Sequence, residues 1–390
     1  MSSEPQALGK LGSAVRVPSA LERLDDHRLH GAGIEVWLKR DDLIHPDLPG
    51  NKWRKLKYNL AEAERRGERT LLTFGGAYSN HIRAVAAAGR SCGFETIGVI
   101  RGEEHLPLNP SLAYAAERGM RLCYLDRGTY RRKMSAAVLA DLRQRFGPVF
   151  LLPEGGTNEL AARGCAEIPA EIGIDFDVIC CPSGTGGTLA GITEGLGPGK
   201  RALGFAVLKG AEFLSRETAN LQWRAFGHCS GNWQIDHSAH FGGFAKRTAS
   251  LDAFIADFRT RHGLVLDWVY VAKMMYGVFS LAEAGGFAPG SRVICVITGP
   301  PDVEGTLFTQ KADRVSACMN PGMVAPRWHG GHVVEHLPFD VLTGSSRVAA
   351  RLPRGHPGEA IVERLERAGF IGAVVAVPAG LDGQSATLTA

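Results

Sequence analysis

Apolar positions along the chain alternate between two rhythms. Short runs at 34–39, 70–74, 96–100, 120–125, 149–152 and 176–181 are mostly apolar over four to six residues, which predicts strands. Between them, apolar residues recur three and four positions apart, as at Trp53, Leu56 and Leu60, and predict helices over 53–66, 80–88, 110–118, 130–146 and 159–172. Strands alternating with helices at this spacing imply parallel sheets with crossover helices, an α/β fold. A strand near 202–207 follows a Gly-rich turn, and residues 220–246 have weak periodicity and read as loop-rich. Helices near 251–262 and 271–284 and a strand over 291–297 complete the regular part. Residues 1–20 read as a terminal arm or edge strand. Pro321, Pro326, Gly330 and Gly331 break up the stretch from 302 to about 350, after which 359–368 and 372–377 suit one more helix and strand.

Composition narrows the class without naming a function. With 390 residues, 45% hydrophobic and 22% charged, the chain can bury a large core in two or three domains. Its 44 Lys+Arg against 40 Asp+Glu leave a formal charge of +4, and no dense basic block stands out, so neither nucleic acid nor a membrane surface is expected as a partner. The eight cysteines show no CxxC pair and no zinc-like spacing, which predicts buried thiols in a reducing cytoplasm and no metal site. No secretory apolar segment opens the chain, and no run reaches the ~18 apolar residues of a membrane span.

Three stretches carry candidate chemistry. Pro49-Gly50-Asn51-Lys52 is a turn that runs into a helix, so Lys52 stands at a loop–helix junction. Lys52, Lys55 and Lys57 are either a solvated basic face or include a buried Schiff-base lysine. The strand at 176–181 opens into Ser183-Gly184-Thr185-Gly186-Gly187-Thr188 and then a helix, which suits a phosphate cup of backbone N–H groups; a tight turn without a ligand has the same pattern. The glycine spacing is wrong for a dinucleotide fingerprint, and no Lys stands where a Walker loop needs one. Gly75-Gly76-Ala77-Tyr78-Ser79-Asn80-His81 repeats the strand-to-helix design, with Ser79 and Asn80 placed either to bind oxygens of a ligand or simply to cap the helix. For His81, packing is the simpler reading.

An amine at a helix start, a polar helix N-terminus and a phosphate cup are the parts that hold pyridoxal phosphate. The chain resembles the 1-aminocyclopropane-1-carboxylate deaminase and D-cysteine desulfhydrase family of fold-type-II pyridoxal-phosphate enzymes from about residue 38 to 299. The resemblance rests on Gly50 to Leu56, Gly75 to His81, Leu108-Asn109-Pro110, Pro153 to Asn158, the cup, Leu266 to Lys273 and Ile297-Thr298-Gly299, in that order. It implies two three-layer α/β domains with mostly parallel sheets, tryptophan-synthase-β-like, with the cofactor between them. Residues 1–53 plus 168–310 would form the large cofactor-binding domain and 54–167 the small inserted one, leaving 311–390 as a tail.

Carried over to this sequence, the resemblance makes Lys52 the Schiff-base lysine and Lys55 its helix neighbour. Ser79 would hold the substrate carboxylate or assist proton transfer, and Asn80 would bond the cofactor's phenolic oxygen. Gly184, Thr185, Gly186, Gly187 and Thr188 would hold the phosphate, Tyr270 would lie against the pyridine ring, and Thr298 would face its nitrogen. In the ring-opening deaminases a Glu usually follows the stacking Tyr; here Val271 does, and with Thr298 this resembles the desulfhydrase side. A pyridine that stays unprotonated is a weaker electron sink, which favours rapid α,β-elimination from a small, D-cysteine-like amino acid over ring opening. The alternatives are a 1-aminocyclopropane-1-carboxylate deaminase and a catalytically impaired cofactor-binding homologue. The latter rests on Phe244, where relatives usually carry Tyr, and Pro300, where a second Gly is expected. A lost catalytic hydroxyl costs ~10²–10⁴ in rate. Relatives commonly form homodimers.

Overall fold

The computed structural model describes residues 9, 11, 14–299, 325–329 and 332–337. Two compact units divide the chain, Met1–Arg314 and Val315–Ala390. In the first, the chain begins with β1 (Leu21–Leu24), α1 (His27–Gly31) and β2 (Glu35–Lys39). Helix α2 (Asn51–Arg65) then leads into four β–α steps: β3 (Thr70–Gly75), α3 (Asn80–Cys92), β4 (Glu95–Arg101), α4 (Pro110–Glu117), β5 (Arg121–Leu125), α5 (Arg127–Arg131), α6 (Ala136–Phe146), β6 (Phe150–Leu152) and α7 (Glu159–Cys165). The remainder comprises β7 (Val178–Ser183), α8 (Gly187–Glu194), β8 (Arg201–Ala206), α9 (Phe213–Phe226), β9 (Trp233–Asp236), α10 (Ala249–His262), α11 (Val271–Glu283) and β10 (Arg292–Val296). In the second unit, β11 (Ala325–His329) pairs antiparallel with β12 (His332–Leu337).

The strands of the first unit form two sheets. One has the order β1-β2-β10-β7-β8-β9, parallel except for β1 at its edge, and the other the order β5-β4-β3-β6, parallel throughout. Both are buried on both faces, as the near-continuous apolar runs require. In the smaller sheet Leu71 enters the core under α2 and α3, whereas its neighbour Leu72 enters a second core with Phe74, Val99 and Leu142. In the larger sheet Val293 and Cys295 pack toward α10 and α11, and Ile294 and Val296 pack on the other side with Ile179 and Leu189. This period of two across covered faces makes each sheet the middle of three layers.

Most expected elements are present, with three differences. The helix read at 130–146 is two helices, because Ser135 caps a new start by accepting from Val138 N. The helix read to 172 ends at Cys165, and Pro169 opens a separate 3₁₀ turn (Pro169–Glu171). The stretch taken as loop-rich contains the end of α9 and all of β9, which pairs parallel with β8. The buried stripe of α9 is Leu214, Thr218, Leu221, Gln222 and Ala225, so two of five inward positions are polar and the hydrophobic rhythm is masked. Gln222 repays its burial with bonds to Thr193 and to Ser230 Oγ. The helix and strand expected at 359–377 lie outside the described residues, as do Pro300 and Cys318. Six of the seven described cysteines are buried and all seven are free thiols; Cys229 is exposed.

Candidate active site

The site begins at the turn between β2 and α2. Gly50 has φ +68°, its N–H donates to Asp41 O at 2.8 Å, and a Cβ there would fall on the carbonyl of Thr298. Asn51 N donates to the same carbonyl at 3.3 Å. Only glycine lets the start of α2 press this closely on the strand end that carries Thr298. The next residue, Lys52, is partly exposed to a cavity and donates from Nζ to Asn51 Oδ1 at 2.7 Å; Asn51 Nδ2 in turn donates to Thr188 Oγ1 at 2.8 Å. Desolvation, aided by the nearby charge of Lys55, pushes the Lys52 amine down to about 7.

Lys55 is not on a solvated face. It is buried, lines the same cavity, and donates to Gly155 O at 3.2 Å and Thr157 Oγ1 at 3.1 Å, while burial lowers its pKa. Lys57 pairs with Glu167. The basic-face reading of the three lysines therefore fails at Lys55, whose hydrogen-bond acceptors come from a loop about a hundred residues further along the chain.

The cup follows β7 directly. Gly186, at φ +73°, is the N-cap of α8, and a Cβ there would collide with Thr218 Oγ1; a Cβ on Gly187 would press on Thr157. Gly184 to Thr188 line the cavity at the start of α8, where the backbone N–H groups of a helix's first turn have no intrahelical acceptors. Thr185 Oγ1 and Thr157 Oγ1 are 2.7 Å apart, so Lys55 and the cup meet through Thr157.

Opposite elements complete the cavity. Asn80 is the first residue of α3 and lines it; Ser79 caps that helix by accepting from Ile82 N at 3.4 Å and is not among the lining residues. His81 is buried behind them, with Nε2 2.8 Å from Thr73 Oγ1, and desolvation together with Lys52 and Lys55 drives its pKa far down. Tyr270 precedes α11, where the Asp267 carboxylate accepts from the N–H groups of Val269, Tyr270 and Val271 at 3.1, 3.0 and 3.2 Å. A Cβ on Gly184 would come within 3.3 Å of Tyr270 Cε1, which puts the ring against the cup. Burial, then the charges of Asp267 and Glu154, raise the Tyr270 hydroxyl above its ordinary range. Phe244 meets Tyr270 edge-on at 5.8 Å. The cavity therefore gathers Lys52, Asn80, Gly184 to Thr188, Tyr270 and Thr298 with Lys55, and adds Asp47, Arg83 and Tyr114, which the sequence reading did not single out.

An amine whose pKa is lowered to about 7, a cup at a helix start and an aromatic wall fit a flat aldehyde that carries a phosphate. Residues 17–218, more than half of the chain, match the family described as pyridoxal-phosphate dependent enzyme. The chain belongs to this family. Its cofactor is pyridoxal 5'-phosphate. Among relatives of this pyridoxal-phosphate dependent enzyme is a putative 1-aminocyclopropane-1-carboxylate deaminase of Pyrococcus furiosus, 30% identical over 282 residues, covering 68% of this chain and 85% of the relative. A bifunctional D-cysteine desulfhydrase/1-aminocyclopropane-1-carboxylate deaminase, mitochondrial, of Arabidopsis thaliana is 28% identical over 290 residues, covering 68% and 72%. A crystal structure of an ACC deaminase homologue superposes with a TM-score of 0.66 at 26% identity, covering 81% of this chain and 99% of the other. Among the described residues no helix is long and apolar enough to cross a membrane.

Proposed function

We propose that this enzyme is a lyase that catalyses α,β-elimination from a small, D-cysteine-like amino acid. The carrying observation is the makeup of the cavity wall. Asp47 is the sole carboxylate among the described lining residues, and it is already bonded to the Tyr114 hydroxyl at 2.7 Å and Arg118 at 3.1 Å. Thr298 lines the cavity with a hydroxyl, and Val271 is buried next to Tyr270, so the residues assigned to the ring nitrogen offer no carboxylate to keep it protonated.

Pyridoxal phosphate, when bound, supplies an aldehyde that captures amines and a conjugated ring that takes up electrons from Cα. In this reading Lys52 carries the cofactor and, once freed, is the base that removes the Cα proton, a role suited to an amine already held near neutrality. Residues Gly184 to Thr188 hold the phosphate, Asn80 the phenolic oxygen, and Tyr270 and Thr298 the ring. Ser79, which caps α3 next to the lining residue Asn80, holds the substrate carboxylate or assists proton transfer. Residues 1–53 with 168–310 and residues 54–167 act as the two domains that flank the cofactor, and the enzyme works as a cytoplasmic homodimer.

The relatives named as deaminases support a second reading, ring opening of 1-aminocyclopropane-1-carboxylate, and the bifunctional plant relative puts both substrates in one test. Purified holoenzyme incubated with D-cysteine, β-chloro-D-alanine and 1-aminocyclopropane-1-carboxylate should release ammonia from the first two. Ammonia from the third alone would overturn elimination in favour of ring opening.

A further inference from the structure

One cation in the cavity wall has no part in the reading above. Arg83 stands three residues after Asn80 on α3, the spacing that puts two side chains on one helix face, and it lines the same cavity as Lys52 and the cup. Its guanidinium lies over the Tyr114 ring, 4.5 Å from the centroid, and Arg118 lies over that ring at 3.4 Å. The two cations are served differently. Arg118 donates to Asp47, which also accepts from Tyr114. The Arg83 guanidinium has no hydrogen bond or ion pair to any described residue, although the residue is partly withdrawn from water; only its backbone N–H is bonded, to Ser79 O at 3.3 Å.

A guanidinium placed this way is balanced only by the ring and, without a hydrogen bond, by the nearby Asp47 charge until an anion enters, and a planar fork of N–H donors suits a phosphate or a carboxylate. Asp47 is held by its other partners. A cofactor and an amino acid present two anions for which the cavity already has places: the cup takes the cofactor's phosphate, and the start of α3 takes the α-carboxylate. A third position remains.

Resting on the elimination reading, we infer that Arg83 recognises an acidic group on the substrate's β-carbon, so that the favoured substrates are small amino acids whose leaving group is anionic, such as a phosphate ester. With O-phosphoserine the Cα–H bond breaks and its proton passes to the base, while the Cβ–O bond breaks and its electron pair leaves with phosphate. Water then hydrolyses the released enamine, giving pyruvate, ammonia and inorganic phosphate with no oxidant or reductant.

Calorimetric binding of O-phosphoserine and of serine, each in both hands, to holoenzyme tests the recognition apart from turnover. O-phosphoserine should bind more tightly than serine of the same hand. Arg83→Gln should weaken O-phosphoserine by roughly 10- to 100-fold and serine by less than about threefold, the loss expected of one charge-assisted contact, with Arg83→Lys intermediate. Equal weakening of both ligands, or weaker binding of pyridoxal phosphate to the variants, would overturn the inference by assigning Arg83 to the α-carboxylate or the cofactor. No preference for O-phosphoserine in the unmodified enzyme would overturn it as well. Pyruvate release from β-chloroalanine is measured in parallel: its absence would sink the elimination reading while leaving the binding comparison to decide on Arg83.

Discussion

The lowered pKa of Lys52 comes from its surroundings rather than from its type. An ordinary lysine is protonated until pH ~10.4, but this one has lost water on most sides and faces a second buried ammonium. Its amine is therefore protonated below about pH 7 and neutral above. Competitive acetylation of the cofactor-free protein should show Lys52 reacting with a midpoint near pH 7, several units below the ~10.4 of an ordinary lysine; a midpoint above about 9 would remove the basis for a base at this position. The family resemblance singles out Lys52 over Lys55 and Lys57, and in the structure both neighbours have other partners: Lys55 bonds Gly155 and Thr157, and Lys57 pairs with Glu167. Arg83 and Tyr114 were not legible, because nothing in a helix's own sequence says which cation will lack a carboxylate once the chain folds. The spacing of Arg83 from Asn80 was the available clue.

At the scale of elements, the loop after β9 shows how an interior helix shapes the cavity rim. Phe241 and Ala245 adopt φ of 51° and 50°, a region that side chains disfavour, and Gly242 and Gly243 between them are at 88° and 118°. Lys273 of α11 is fully buried and donates to His240 O at 2.9 Å, Gly243 O at 2.7 Å and Val207 O at 3.4 Å. It thereby fixes the loop that sets Phe244 beside Tyr270. Lys273→Met should lower unfolding stability by about 1–3 kcal/mol, because buried carbonyls lose their donor, and should speed amide exchange across 240–246. Unchanged exchange there would mean that the loop holds itself. Apart from β1 and β9, the strands of both sheets were read within a few residues, because apolar runs buried on two faces are unambiguous. What escaped was α9, where Thr218 and Gln222 stand at inward positions, and the irregular loop, whose shape is dictated by a lysine thirty residues away.

Across the whole first unit, one buried ionic network ties the two sheets' segments together. Arg54 of α2 donates to Asp41 at 2.6 and 2.8 Å and to Glu171 at 2.7 and 2.8 Å, Lys39 at the end of β2 reaches Glu171 at 3.0 Å, and Ser19 Oγ donates to Asp41 at 2.7 Å. Burial works against the Glu171 charge, yet Arg54 and Lys39 hold its carboxyl down at about 2. A carboxyl lowered on folding contributes stability that is present above its unfolded value near 4.3 and lost as pH falls through about 2. Denaturant titrations should show that loss over this window, and Glu171→Gln should be less stable by about 3 kcal/mol at neutral pH with a flatter acid limb. Parallel acid limbs for both proteins would place the effect elsewhere. The strand order has a further consequence when the chain is considered as it leaves the ribosome. The four-stranded sheet can close as soon as β6 has emerged, but β2 waits for β10, and Gly50 waits for Thr298. During synthesis the lysine is therefore among the first functional groups to appear, yet its pocket closes late, after nearly all of the first unit has been translated.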